Sequence, residues 1–95
     1  MEVRFNDFDC YIQIEEYINN RKAIVLREIE TNDDVAVASV NLPNVNMDED
    51  EIAIKTYSEN VGMLNVLVDA GVISPPIRYH QLKHVNIPIC KLLIK

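Results

Sequence analysis

Phe8-Asp9-Cys10-Tyr11-Ile12-Gln13-Ile14 is the stretch whose reading decides the fold class. Phe8, Cys10, Ile12 and Ile14 alternate with Asp9 and Gln13, the period of two that gives a strand one buried and one wet face. Tyr11 is the apolar exception on the wet face. The pattern returns twice downstream. Asn19-Asn20 supplies turn chemistry, because asparagine tolerates positive φ. Residues 23–30 are β-rich again, with Ile24, Val25, Leu26 and Ile29. Thr31-Asn32-Asp33-Asp34 is a second turn signal, and residues 35–42 return with Val35, Val37 and Val40. Three runs joined by two short turns predict an antiparallel meander. Pro43 ends the third run, since proline cannot donate to a ladder.

Beyond the meander, residues 44–51 read as a loop closing on Asp48-Glu49-Asp50-Glu51, and Ile52-Ala53-Ile54-Lys55 as a short strand. The period then changes. Ser58 is placed to cap a helix, with Glu59 favourable in its first turn. Val61, Leu64, Leu67 and Val68 form one apolar stripe at helical spacing, and Gly71 stands at the usual stop position. Gly62 inside the first turn works against the helix. Val72-Ile73-Ser74-Pro75-Pro76 leaves through a stiff extended segment. Residues 77–83 are mixed and polar. Residues 85–93 alternate again around Pro88, which predicts an edge strand or a bulge. The sum predicts one α+β domain over residues 1–95, a mostly antiparallel sheet of four to five strands with one helix on a face.

Ninety-five residues leave no room for two cores. The charge is more informative than the length. Residues 1–60 hold fourteen acids and five bases, a net of −9; residues 61–95 hold Asp69 against Arg78, Lys83, Lys91 and Lys95, a net of +3. The acidic two-thirds repels phosphate, which argues against direct nucleic-acid binding. The same surface suits a basic partner, including a protein groove that normally holds nucleic acid. No run of about 18 apolar residues occurs, so no membrane span is expected. The N-terminal residues lack a basic region followed by an apolar stretch, so no signal peptide is expected. Cys10 and Cys90 lie eighty positions apart, and a cytoplasmic chain would keep them reduced.

Val40-Asn41-Leu42-Pro43, the segment Glu51-Ile52-Ala53-Ile54-Lys55-Thr56-Tyr57-Ser58-Glu59-Asn60, then Gly62-Met63-Leu64, Leu67-Val68, Ala70-Gly71 and Val85-Asn86-Ile87-Pro88-Ile89-Cys90 together resemble a family of small proteins carried by phages and conjugative elements. The resemblance covers roughly residues 23–92. It implies an accessory gene of a mobile element in a bacterial cytoplasm, a setting that includes anti-CRISPR proteins and other inhibitors of host defence. One departure is Lys83-His84, where the relatives carry a Gly-Phe pair.

Two constellations point to chemistry. His80 and His84, spaced H-x3-H, share a face if the segment is helical. With Cys10 and Cys90 they would make a two-imidazole, two-thiolate zinc set; the alternative is that both cysteines are small core residues. The second constellation is acidic: Glu28, Glu30, Asp33 and Asp34, with Asp48, Glu49, Asp50 and Glu51. Neither stretch has the alternate ligands, central glycine and terminal glutamate of a calcium loop. They read as a solvated surface or as a partner-binding face that imitates the charge of nucleic acid. Arg78, Tyr79, His80, Lys83, His84, Lys91 and Lys95 form a thin basic stretch, better read as a solvated edge than as a single-strand platform. No P-loop, G-x-G-x-x-G or G-x-S-x-G occurs. A cysteine–histidine dyad rests on residue types alone. The expectation is therefore a non-enzymatic, cytoplasmic inhibitor of a host defence protein such as a CRISPR nuclease, blocking nucleic-acid loading. The alternative is a small module that homodimerises through an edge strand such as residues 85–93, with or without zinc.

Overall fold

The computed structural model describes residues 1–94, and its first hairpin begins one strand earlier than the sequence periodicity does. Strand β1 (Glu2–Phe5) turns through Asn6 and Asp7, at φ 49° and 67°, into β2 (Phe8–Glu16). Two successive left-handed residues make a tight hairpin turn, and Asn-Asp accepts that conformation at low cost. β3 (Lys22–Glu28) and β4 (Asp34–Val37) complete a four-stranded antiparallel sheet in the order β1-β2-β3-β4. The predicted turns hold, with Asn20 and Asn32 at φ 66° and 64°. Ile29 lies in the second turn, exposed, instead of in the strand.

The inner face of this sheet carries Val3, Phe5, Cys10, Ile24, Leu26, Ala36 and Ala38, all buried. The third run is marked in the sequence by Val35, Val37 and Val40. Its inward residues are Ala36 and Ala38 instead, and Val37 is 44% exposed. The pairing Leu26↔Ala36 puts Ala36 over the core, and an irregularity between Leu26 and Arg27 shifts the register beyond it. A one-residue difference exchanges the faces of a whole strand.

β5 (Glu51–Ala53) begins a second sheet. Ser58–Asn60 then forms a single 3-10 turn, Gly62 takes φ 90°, and helix α1 follows over Met63–Asp69. The helix is shorter than its apolar stripe predicted. Ser58 sits at φ 57° and makes no cap hydrogen bond, and Val61 is 73% exposed. The buried pair is Met63 and Leu67, one turn apart. Gly71 ends the helix at φ 76°, as expected. β6 (Arg78–Leu82) and β7 (Val85–Lys91) then form a hairpin, giving a second antiparallel sheet in the order β5-β7-β6.

The predicted α+β class holds, with seven strands in two antiparallel sheets and one helix. Residues 85–91 are not an edge, however. β7 is flanked on both sides, which removes it as a dimerisation edge. Pro88 fits there because the ladder to β5 is ending. Ile54 N–H donates to the Pro88 carbonyl (3.0 Å), while the reciprocal bond, which proline cannot make, falls where the chain leaves to bridge Ser39. That Ser39–Ile54 bridge links the two sheets, and the main core lies between the meander, β5, β7 and α1. A smaller cluster, Leu42, Ala53, Ile87 and Ile89, lies under the loop that precedes β5. No helix of the described residues is long and apolar enough to cross a membrane.

Candidate functional site

The meander gathers charge at one end. The β1–β2 turn and the β3–β4 turn lie side by side, because Ile29 N–H donates to the Asp9 carbonyl (3.0 Å) and Cys10 pairs with Glu28. This brings Asp7 and Asp9 to Glu28, Glu30, Asp33 and Asp34. Two arginines answer them: Arg4 meets Asp9 at 2.8 Å and Arg27 meets Asp34 at 3.0 Å. Six carboxylates against two guanidiniums leave a local charge near −4. Among the described residues Asp7, Glu28, Glu30 and Asp33 form no ion pair. The turn itself is well braced. Glu28 N–H donates to the Asp33 carbonyl (2.8 Å), Thr31 Oγ1 donates to Glu28 (3.0 Å), and Tyr11 Oη donates to Asn32 (2.6 Å). Phe8 and Ile29, 44% and 41% exposed, put apolar surface beside the carboxylates.

The second acidic stretch is elsewhere, and half of it is neutralised by ion pairs. The loop carrying it borders Arg21 and Lys22 at the start of β3, whereas Glu28 ends that strand. Seven residues of strand separate the two clusters by about 20 Å. They do not form one face. Glu51 is engaged by Arg78 through two bonds of 2.8 and 2.9 Å and accepts Asp48 N–H at 3.0 Å. Those partners hold its carboxyl down at about 2. Asp50 meets Lys91 at 3.1 Å, and burial plays no part in raising that lysine: the Asp50 hydrogen bond and charge do. Within this stretch Asp48 and Glu49 form no ion pair among the described residues, and the groove of about 430 Å³ beside them is mixed in charge, lined also by Arg21 and Lys22.

The proposed zinc ligands are not brought together. Among the described residues no group of three or more histidine, cysteine, aspartate or glutamate side chains is placed to hold a metal. His80 and His84 lie on a β-hairpin, not a helix: His80 is in β6 and His84 is in the turn to β7. His80 borders a shallow pocket with Asn41, Leu42 and Val45. Cys10 and Cys90 are fully buried in the main core, one in each sheet. Burial pushes the Cys90 thiol up to about 11, and burial followed by the charges of Glu28 and Asp9 raises Cys10. Both therefore stay protonated at neutral pH, poor as nucleophiles and as metal ligands. Of the basic stretch, Arg78 and Lys91 are occupied by Glu51 and Asp50, and Lys95 lies outside the described residues.

No family model, curated protein or solved structure matches the chain. The acidic end therefore rests on its own chemistry. Asp7, Asp9, Phe8 and Ile29 were not picked out from the sequence as part of it. Asn6-Asp7 between Phe5 and Phe8 was the available signal, a two-residue turn dipeptide between aromatic strand ends.

Proposed function

We propose that the protein is a non-enzymatic inhibitor from a mobile genetic element that occupies the basic nucleic-acid channel of a host defence protein, a CRISPR nuclease being the type of target. The acidic end of the meander enters the channel, and its carboxylates take the place of phosphates. What carries this reading is the concentration of six carboxylates against two arginines on a braced pair of turns, with Phe8 and Ile29 between them. Rigid turns lose little conformational freedom on docking. Apolar surface inside a charged rim adds affinity that salt cannot screen. The family resemblance supports the genomic setting. On this reading the interface is Asp7, Asp9, Glu28, Glu30, Asp33 and Asp34, while Asp50 and Glu51 serve instead to fasten the loop before β5.

Charge reversal separates the ends. Glu30→Lys with Asp33→Lys should weaken capture of a basic nuclease from host lysate, quantified on the recovered partner, by about tenfold or more. Asp48→Lys with Glu49→Lys should change it by less than about twofold. Capture should also fall steeply as salt rises. Equal capture by the Glu30/Asp33 variant and the wild type, both folded by circular dichroism, would sink the proposal.

A further inference from the structure

One edge of the four-stranded sheet is β1, and its hydrogen-bonding pattern is fixed by a single bond. Ile12 N–H donates to the Met1 carbonyl at 3.0 Å. In an antiparallel pair the groups that face the neighbour belong to alternate residues. With Met1, Val3 and Phe5 turned to β2, the N–H and C=O groups of Glu2 and Arg4 point out of the sheet. Among the described residues neither makes another backbone hydrogen bond. Val3 and Phe5 bury their side chains on the inner face, beside α1, while Glu2 and Arg4 are exposed on the outer face.

We propose that β1 is a self-association edge, at which two copies pair antiparallel about a two-fold axis through Val3. Only strand positions whose polar groups both point outward can form the hydrogen-bonded pairs of a new ladder. Centred on Val3, the register sets Glu2 opposite Arg4 of the partner subunit, and Arg4 opposite Glu2 of the partner subunit. Both are reciprocal hydrogen-bonded pairs, and both put opposite charges about 5 Å apart across the strands. Arg4 then lies between Asp9 on its own β2, which it already meets at 2.8 Å, and the incoming glutamate. The edge is complementary to itself in backbone and in charge. The same two-fold carries the Asn6-Asp7 turn of each copy past the start of the other's β1, so the two acidic ends point away from each other. Of the other sheet edges, β4 and β5 already have the Val37 and Ala53 carbonyls taken by the Asn60 amide and Val40 N–H, and β6 lacks this match. Its outward residues are Tyr79 and Gln81, and centring on His80 would set identical imidazoles opposite each other. A four-residue edge buries little area, so the dimer is a weak one.

Sedimentation equilibrium over roughly 10 µM to 1 mM tests this. The wild type should show reversible dimerisation across that range. Glu2→Arg and Arg4→Glu should each weaken it about tenfold or more, because each creates like charges at both pairs. Mixing the two variants should restore association as a heterodimer, since a strand bearing two arginines then faces one bearing two glutamates. Arg4→Glu also faces Asp9, so Glu2→Pro serves as a second probe: it removes an outward N–H without touching the bonds to β2, and should abolish pairing. A wild type that stays monomeric at about 1 mM overturns the proposal. So does a dimer unaffected by any of these substitutions, the behaviour expected of association through β6.

Discussion

Ser39 marks the residue at which the chain leaves one sheet for the other. Ala38 N–H donates to the Ile24 carbonyl (2.8 Å), and a regular ladder would return the bond from Ile24 N–H to the Ala38 carbonyl. That carbonyl instead accepts from Lys55 N–H at 2.8 Å, two residues beyond the end of β5. The Ser39 hydroxyl takes its place and accepts Ile24 N–H at 3.0 Å. Tyr17 completes the arrangement through an Oη–Oγ hydrogen bond of 2.9 Å. Ser39 is 3% exposed, so its removal would leave a buried N–H without a partner. Ser39→Ala should therefore cost about 1–3 kcal/mol, and Tyr17→Phe, which spares the Ile24 bond, about 1 kcal/mol or less. Urea unfolding of the two variants decides it, and equal losses would show that the hydroxyl does not replace the missing carbonyl. Asn60 does related work one residue earlier, donating from Nδ2 to the Val37 carbonyl at 2.7 Å. Neither role is legible in the sequence, where Ser39 is a small polar residue in a β-rich run and Asn60 falls inside a predicted helix.

Among the elements, the loop of residues 44–51 is fastened to β6 by one side chain. Arg78 grips Glu51 with both terminal nitrogens and reaches the Asn46 carbonyl at 3.0 Å. The Glu51 carboxyl is held at about 2, first by Arg78 and then by Asp48 N–H, well below the usual carboxylate range of about 4.3. A depressed carboxyl stabilises the folded state fully above its unfolded pKa. That contribution is lost as pH falls through about 4 towards 2. Glu51→Gln should consequently be less stable than the wild type at pH 6, with the gap closing by pH 2. A gap that stays constant with pH, measured by thermal unfolding, would mean that packing and not charge holds the loop. This clasp also explains which elements the sequence shows. The meander was legible because each long strand alternates and asparagine punctuates its turns. β6 is not, because Arg78 spends its polarity on the loop, His80 is polar, and Tyr79, Gln81 and Leu82 are exposed, so no apolar period survives. β1 was hidden by its length, with only Val3 and Phe5 to carry a pattern. The helix is shorter than the Val61 stripe because Gly62, which the sequence already sets against it, takes φ 90° and starts the helix at Met63. Four of the six carboxylates of the acidic site are legible in the sequence: Glu28, Glu30, Asp33 and Asp34. Asp7 and Asp9 join it only through the hairpin that the sequence reading missed.

At the scale of the whole molecule, the net −6 is distributed by the fold and not by chain position alone. Two of the four carboxylates of the second acidic stretch, Asp50 and Glu51, are spent on ion pairs to Lys91 and Arg78 within the second sheet. Of the six at the end of the meander, only Asp9 and Asp34 are paired among the described residues. Like charges held together on rigid turns repel, and self-repulsion works against the compact state. Retaining the four unpaired ones makes sense where a partner supplies the missing positive charge. A folded protein relieved of that repulsion should become more stable while binding less well, the usual opposition between stability and function at a site. Glu30→Gln with Asp33→Asn removes two charges and keeps similar side-chain shape. The pair should raise Tm by about 2–4 °C at low salt. Adding salt should raise the Tm of the wild type towards that of the variant, because screening acts at distances beyond about 8–10 Å near 0.1 M. The same substitution at Asp48 and Glu49, beside Arg21 and Lys22, should raise Tm less or lower it. A drop in Tm for the Glu30/Asp33 pair would mean that these carboxylates brace the turn through hydrogen bonds, as Glu28 does with Thr31. The end of the meander would then be a structural turn that happens to be acidic, and the charge argument for a basic partner would lose its ground.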